Sequence, residues 1–251
     1  MLKGWSVKKV VAVSVVLYLL SLVWNLPASF VWKRMAGQLP AEVTLHGLTG
    51  TLWSGHVNRI EVNRVDQGGL RWSWQPMGLL RAAISLDLLW QPRNGNVSAQ
   101  LHAGMGALTL RDVTGRLDAA SMATVNRAPF ILGGSWLLDV PLLELKDMEY
   151  VGRAEGQLVW ESAAGGLPTA MALGTLAADL EGDDGWLVLT LSDRGGPLGL
   201  QGNARWRPGQ AMALDTRLQA RPEAEAGLVG GLSLLGQPDA QGWVRWQAQL
   251  Q

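Results

Sequence analysis

Two patterns of apolar and polar positions divide the chain. From Val10 to Trp32, "VVAVSVVLYLLSLVWNLPASFVW", 23 residues pass without a charge. About 20 apolar residues cross a bilayer core as a helix, so this run predicts a transmembrane segment. Beyond Pro40 the pattern becomes short segments alternating at period two, the mark of half-buried β-strand. They are Glu42–Leu48, His56–Asn63, Leu70–Trp74, Ala83–Trp90, Val97–Ala103 and Ala107–Leu117, followed by Ser135–Leu145, Glu155–Ser162 and Leu173–Glu181. Trp186–Asp193, Leu198–Trp206, Ala211–Ala220 and Trp243–Leu250 complete the series. Turn signals separate them, among them Asp66–Gly69, Arg93–Asn96, Gly165-Gly166, Asp183–Gly185 and Arg194–Pro197. Strands at this spacing predict an antiparallel, mainly β architecture.

Helix is sparse. Pro76–Ala83 and Ala119–Val125 predict a turn or two each. Glu223–Leu235 is the stronger helical segment, with Pro222 before it and Gly236 and Pro238 to stop it. Glycine stands four residues before tryptophan in Gly68–Trp72, Gly156–Trp160, Gly202–Trp206 and Gly242–Trp246. In a strand, positions i and i+4 share a face. The spacing therefore predicts strands opened by a glycine bend or bulge, with Trp72, Trp160, Trp206 and Trp246 on one side. With Trp74, these rings form either a packed β core or an apolar groove, two readings the spacing does not separate.

Charge sharpens the membrane reading. Lys3, Lys8, Lys9, Lys33 and Arg34 flank the apolar run with no acidic residue, leaving 16 basic and 21 acidic residues for the remainder. The apolar part exceeds the 7–15 residues of a signal-peptide core, which favours a retained anchor. The flanking charges together with the N-terminal amine favour a cytoplasmic amino terminus. A mildly acidic body does not fit a nucleic-acid partner. With no cysteine there is no thiolate nucleophile and no Cys-based zinc site. His46, His56 and His102 lack metal-ligand spacing. Ser54 lacks the nucleophile-elbow register, Gly104–Gly106 lacks the rest of a dinucleotide fingerprint, and Glu181–Gly185 reads as a hairpin turn. The chain therefore predicts no catalytic, cofactor-binding or metal-ligating residues and no enzyme.

The opening of the β region carries "GTLWSG", Gly50, Thr51, Leu52, Trp53, Ser54 and Gly55, and the chain closes with "LLGQPDAQG" at Leu234–Gly242 before a last strand. With the anchor and the run of strands, these elements resemble the type II secretion system protein N family of Gram-negative bacteria, within the wider AsmA-like group. The resemblance implies residues 1–34 as cytoplasmic terminus and anchor, and residues 35–251 as a periplasmic β domain. It implies an AsmA-like fold: a curved antiparallel sheet, an open half-barrel with few short helices. It further implies an accessory inner-membrane component that helps export folded proteins across the outer membrane by contacts with other secretion subunits. "GTLWSG" carries over as a structural element alone. The alternative within the same resemblance is an envelope protein that binds or shields lipid on its tryptophan-lined sheet, making lipid a second candidate partner.

Overall fold

A computed structural model of the chain describes residues 7–35, 43–76, 78, 83–92, 94–104, 106–123 and 131–250. Two helices come first, α1 (Val7–Trp24) and α2 (Ala28–Met35). Five short strands follow: β1 (Val43–His46), β2 (Thr49–Gly50), β3 (Ser54–Val57), β4 (Arg59–Val62) and β5 (Val65–Asp66). Next come β6 (Gly69–Gln75), β7 (Ile84–Gln91), β8 (Asn96–Gly104), β9 (Ala107–Asp118), the one-turn α3 (Ala120–Ala123), β10 (Ile131–Lys146) and β11 (Tyr150–Gly166). The chain ends with β12 (Met171–Asp183), β13 (Trp186–Asp193), β14 (Leu198–Trp206), β15 (Met212–Ala220), α4 (Ala226–Leu235) and β16 (Val244–Leu250). Most of Pro76–Ala83, and Thr124 and Val125, lie outside the described residues.

Thirteen strands form one open sheet in the order β16-β15-β14-β13-β12-β11-β10-β9-β8-β7-β6-β3-β2, and every pairing within it is antiparallel. Neighbours in sequence are neighbours in space from β6 to β16, because short turns reward adjacent pairing. The alternation of the sequence becomes two chemically opposite faces. One row of register partners runs Ser98, Thr114, Asp139, Gln157, Asp179, Thr190, Asn203, Asp215, Gln247, polar across nine strands. The row beside it includes Leu138, Leu158, Ala178 and Leu191 on the opposite face. At period two a single-residue slip would exchange the two faces, so this pattern pins the register.

The apolar face packs in local clusters. One gathers Val151, Ala154, Ala178, Leu187, Leu189 and Ala204. A second forms where α4 lays Leu228 and Leu232 on Leu198 and Leu218. That helix matches the segment its flanking prolines and glycine mark, and Gly236 follows it as C-cap. Gly230 and Gly231 stand on its open side with no atom near a would-be Cβ.

Several expectations change. The uncharged Val10–Trp32 run is not one helix: it divides at Asn25–Pro27, where Pro27 bridges to Thr51 and the Leu26 carbonyl accepts the Leu52 amide at 3.0 Å. Proline removes a helical donor and disfavours helix in the residue before it. Among the described residues no helix is long and apolar enough to cross a membrane. His56–Asn63 is two strands in two sheets. The chain leaves the large sheet after buried Val57 and enters a three-stranded sheet of order β1-β4-β5. Gly156 and Gly202 do not open strands either; each lies inside a strand longer than its alternating segment or well past its start. The bulge near Gly156 belongs to the facing strand, where register shifts between Asp139 and Leu142 around Pro141. Proline has no amide for the ladder, so a central strand accommodates it only at a bulge.

Candidate functional site

The "GTLWSG" residues form the hairpin from β2 to β3 and tie the amino-terminal helices to the sheet. Gly50 holds φ +93°, and a Cβ there would lie 2.4 Å from the Ser54 carbonyl oxygen. The Thr51 amide donates to the Ser54 carbonyl at 2.9 Å, and the Ser54 amide donates back to Thr51 Oγ1 at 3.2 Å, closing the turn. Leu52, at the apex, donates its amide to Leu26 and accepts from Trp72 Nε1 at 3.1 Å. Gly55 leaves room for the Trp72 ring, which would come within 2.5 Å of an added Cβ.

Trp53 then joins Trp24 and Trp74 in an aromatic cluster, with centroids 6.4 Å apart for Trp24–Trp53, 5.3 Å for Trp24–Trp74 and 5.0 Å for Trp53–Trp74. Such tilted and edge-on pairs contribute about 0.5–1.5 kcal/mol each beyond their burial. The last residue of α1 thus meets the first strands of the sheet. Beside this cluster Ala28 and Trp32 of α2, with Leu45, Leu52, Val57, Ile60 and Trp72, line an open pocket of about 200 Å³.

The register places Trp72, Trp74, Trp160, Trp206 and Trp246 on the same apolar face, but it distributes them among separate packing groups. Trp160 stacks on Trp136 with centroids 5.0 Å and planes 15° apart, and donates its Nε1–H to the Gly133 carbonyl at 2.8 Å. Trp206 packs against the Leu187–Leu189–Ala204 cluster, and Trp246 against the α4 cluster. Each ring serves its own neighbourhood. All five are partly accessible, so the face is packed without being sealed.

The polar face is cross-linked by hydrogen bonds and ion pairs. Gln75 Nε2 donates to Asp87, Gln157 Nε2 to Asp179, Arg116 to Glu161 and Arg245 to Asp215. The bonds donated by Arg245 and Gln247 hold the Asp215 carboxyl at a pKa of about 2. Asp193 is the more enclosed acid. Burial pushes its pKa up, but the Leu200 amide, Arg221 and the Gly195 amide together outweigh burial and hold it below the usual carboxylate range. Arg221 also reaches the Gly196 carbonyl at 3.1 Å, closing the turn between β13 and β14.

His46 faces Glu61 at 3.3 Å and His56 faces Thr49 at 3.1 Å, both on exposed strands. The pair that sequence spacing could not reveal is Ser85 and His102, 17 residues apart, whose Oγ and Nδ1 meet at 2.7 Å across β7 and β8. Ser85 is 4% exposed, so its hydroxyl is buried where it meets the imidazole. Asp183–Gly185 is the hairpin turn expected of it, with positive φ at Asp184 and Gly185. Among the described residues no three His, Asp or Glu side chains gather around one point.

Residues 41–247 match the family model described as type II secretion system, protein N. A type II secretion system protein N from Aeromonas hydrophila is 30% identical over 241 residues, covering 93% of this chain and 94% of the relative. One from Vibrio cholerae serotype O1 is 28% identical over 237 residues, covering 88% and 89% respectively. No solved structure matches the chain.

Proposed function

The chain belongs to the type II secretion system protein N family, and from that premise we propose that it is an accessory inner-membrane component of the secretion machine. In this reading α1 anchors the protein with its amino terminus in the cytoplasm, and residues 35–251 stand in the periplasm. There the sheet docks other secretion subunits, which pass folded proteins across the outer membrane, without chemistry of its own.

The family match over residues 41–247, which spans nearly the whole open sheet, carries the reading. The helix supports the anchor: Val11, Val16, Leu17 and Tyr18 are each more than half exposed, on several sides of α1. A helix apolar all round calls for an apolar environment. Its 18 residues rise about 27 Å, short of a hydrocarbon core of about 30 Å, and Lys8 and Lys9 stand near its start.

Photocrosslinkers placed on the polar face at Thr190 and Asn203 test the docking in cells. Adducts with secretion subunits are expected, together with protease protection of the amino terminus and accessibility of the sheet from the periplasm. A protein with no secretion-subunit adducts, or with its sheet protected on the cytoplasmic side, would refute the proposal.

The open pocket beside α2, lined by apolar side chains, favours a second reading, that this end of the sheet holds a lipid acyl chain. Native mass spectrometry of the detergent-purified protein decides it: a retained lipid of defined mass supports the reading, and a lipid-free chain removes it.

A further inference from the structure

The two ends of the thirteen-stranded sheet are finished differently. At the β2 end the amino-terminal segment closes the edge, since Leu26 accepts the Leu52 amide and Pro27 bridges to Thr51. At the other end stands β16, paired to β15 along an unbroken register from Leu218–Val244 to Met212–Leu250. Among the described residues nothing pairs with its outward side. Natural sheets blunt such an edge with proline, bulges, several charges or a covering element. The strand "VRWQAQL" has no proline, no bulge and one charge, Arg245.

We propose that β16 is a self-association edge, and that a second copy of this chain pairs its own β16 antiparallel to it around a two-fold axis at Gln247. Three observations select a second copy. The first is backbone parity. Thr216 Oγ1 donates to the Trp246 carbonyl at 3.2 Å, so the main-chain groups of Trp246 point toward β15. Those of Arg245, Gln247 and Gln249 therefore point outward, because main-chain groups alternate sides along a strand. Three residues each offering an amide and a carbonyl supply about six hydrogen bonds to a facing strand.

The second observation is the near-palindrome of the strand about Gln247. In full overlap Arg245 faces the other copy's Gln249, Gln247 faces itself, Trp246 faces Ala248 and Val244 faces Leu250. A large ring opposes a small side chain, and no like charges meet, where directly opposed like charges would be destabilising. Arg245 is meanwhile neutralised within its own chain by Asp215. The third is continuity of the faces: the polar row ending at Gln247 runs on into the second copy's row, and the apolar faces join without a change of side. An isologous contact of this kind closes on itself as a dimer.

The chain contains no cysteine, so single introduced thiols report the register directly. Full-length Gln247→Cys in native membranes should form a disulfide with itself, since hydrogen-bonded antiparallel partners bring Cα atoms to about 5.5 Å. Arg245→Cys and Gln249→Cys should each stay uncrosslinked alone and crosslink when co-expressed. Thr190→Cys, exposed in mid-sheet, should stay uncrosslinked. Purified wild-type protein should have twice the chain mass after correction for detergent, and Gln247→Pro, which removes an outward amide the β15 ladder does not use, should halve that mass. A monomeric wild-type mass without the Gln247→Cys crosslink would overturn the proposal. Self-crosslinking of Arg245→Cys would overturn the register, and a Gln247→Cys adduct with a different protein would overturn the second copy as occupant.

Discussion

Gly156→Ala tests whether the Pro141 bulge dictates the residue across from it. Gly156 pairs with Leu180 on one side and opposes the shifted Val140–Pro141 segment on the other. A methyl at position 156 would lie 2.7 Å from Val140 Cα, 2.9 Å from the Asp139 carbonyl oxygen and 3.0 Å from Val140 Cβ. Carbon atoms in contact prefer about 3.5–4.0 Å, so the backbone of β10 must retreat by most of an ångström. Overpacking of this kind costs about 1–3 kcal/mol. Alanine recovers roughly 0.5–1 kcal/mol by restricting the unfolded chain. The expected net loss is about 1–2 kcal/mol, or roughly 2–8 °C in melting temperature for a chain of this size. Gly156→Val should lose more, because its branch enters the same space. Thermal unfolding of the detergent-solubilised protein, followed by tryptophan fluorescence, measures it. Gly230→Ala is the internal control: it lies in α4 with no atom within 4 Å of the added carbon and should raise the melting temperature. If Gly156→Ala melts at or above wild type while the control behaves, the bulge does not press on Gly156 and the reasoning fails.

Two further outcomes follow from the clusters and the enclosed acid. Leu232 is 7% exposed beneath α4, so Leu232→Ala should cost about 2–4 kcal/mol and loosen that helix, seen as faster amide exchange over residues 226–235; unchanged exchange would show that α4 is held by other contacts. Asp193 has a lowered pKa in the folded chain, so its contribution is complete above the unfolded value near about 4 and is lost as pH falls through the lower folded value. Asp193→Asn should therefore cost about 1–3 kcal/mol at neutral pH and flatten the fall in melting temperature between about pH 4 and pH 2; parallel curves for the two proteins would contradict this.

Much of the sheet was legible because alternation is a local signal. Trp186–Asp193 and Leu198–Trp206 begin and end where their apolar–polar alternation does, and glycine-rich turns set the breaks around them. Strands that exceed their alternating segment escaped it. Tyr150–Gly166 extends on both sides of Glu155–Ser162, because pairing with two long neighbours supports residues whose own pattern is weak. The Ser85–His102 pair was hidden for a related reason: only the register of β7 on β8 brings together two residues 17 apart.

By itself the sequence determined the class of this protein: mainly β, apolar at its start, and similar to its family over most of its length. Those properties reside in composition and near-neighbour spacing, which survive without a fold. Tertiary structure decided what "GTLWSG" does. Its turn places Leu52 against Leu26 and Trp53 against Trp24 and Trp74, so the motif is the joint that fastens helix to sheet. Tertiary structure also decided that five tryptophans sharing one face do not share one pocket, because the width of a thirteen-stranded sheet separates what a common spacing relates.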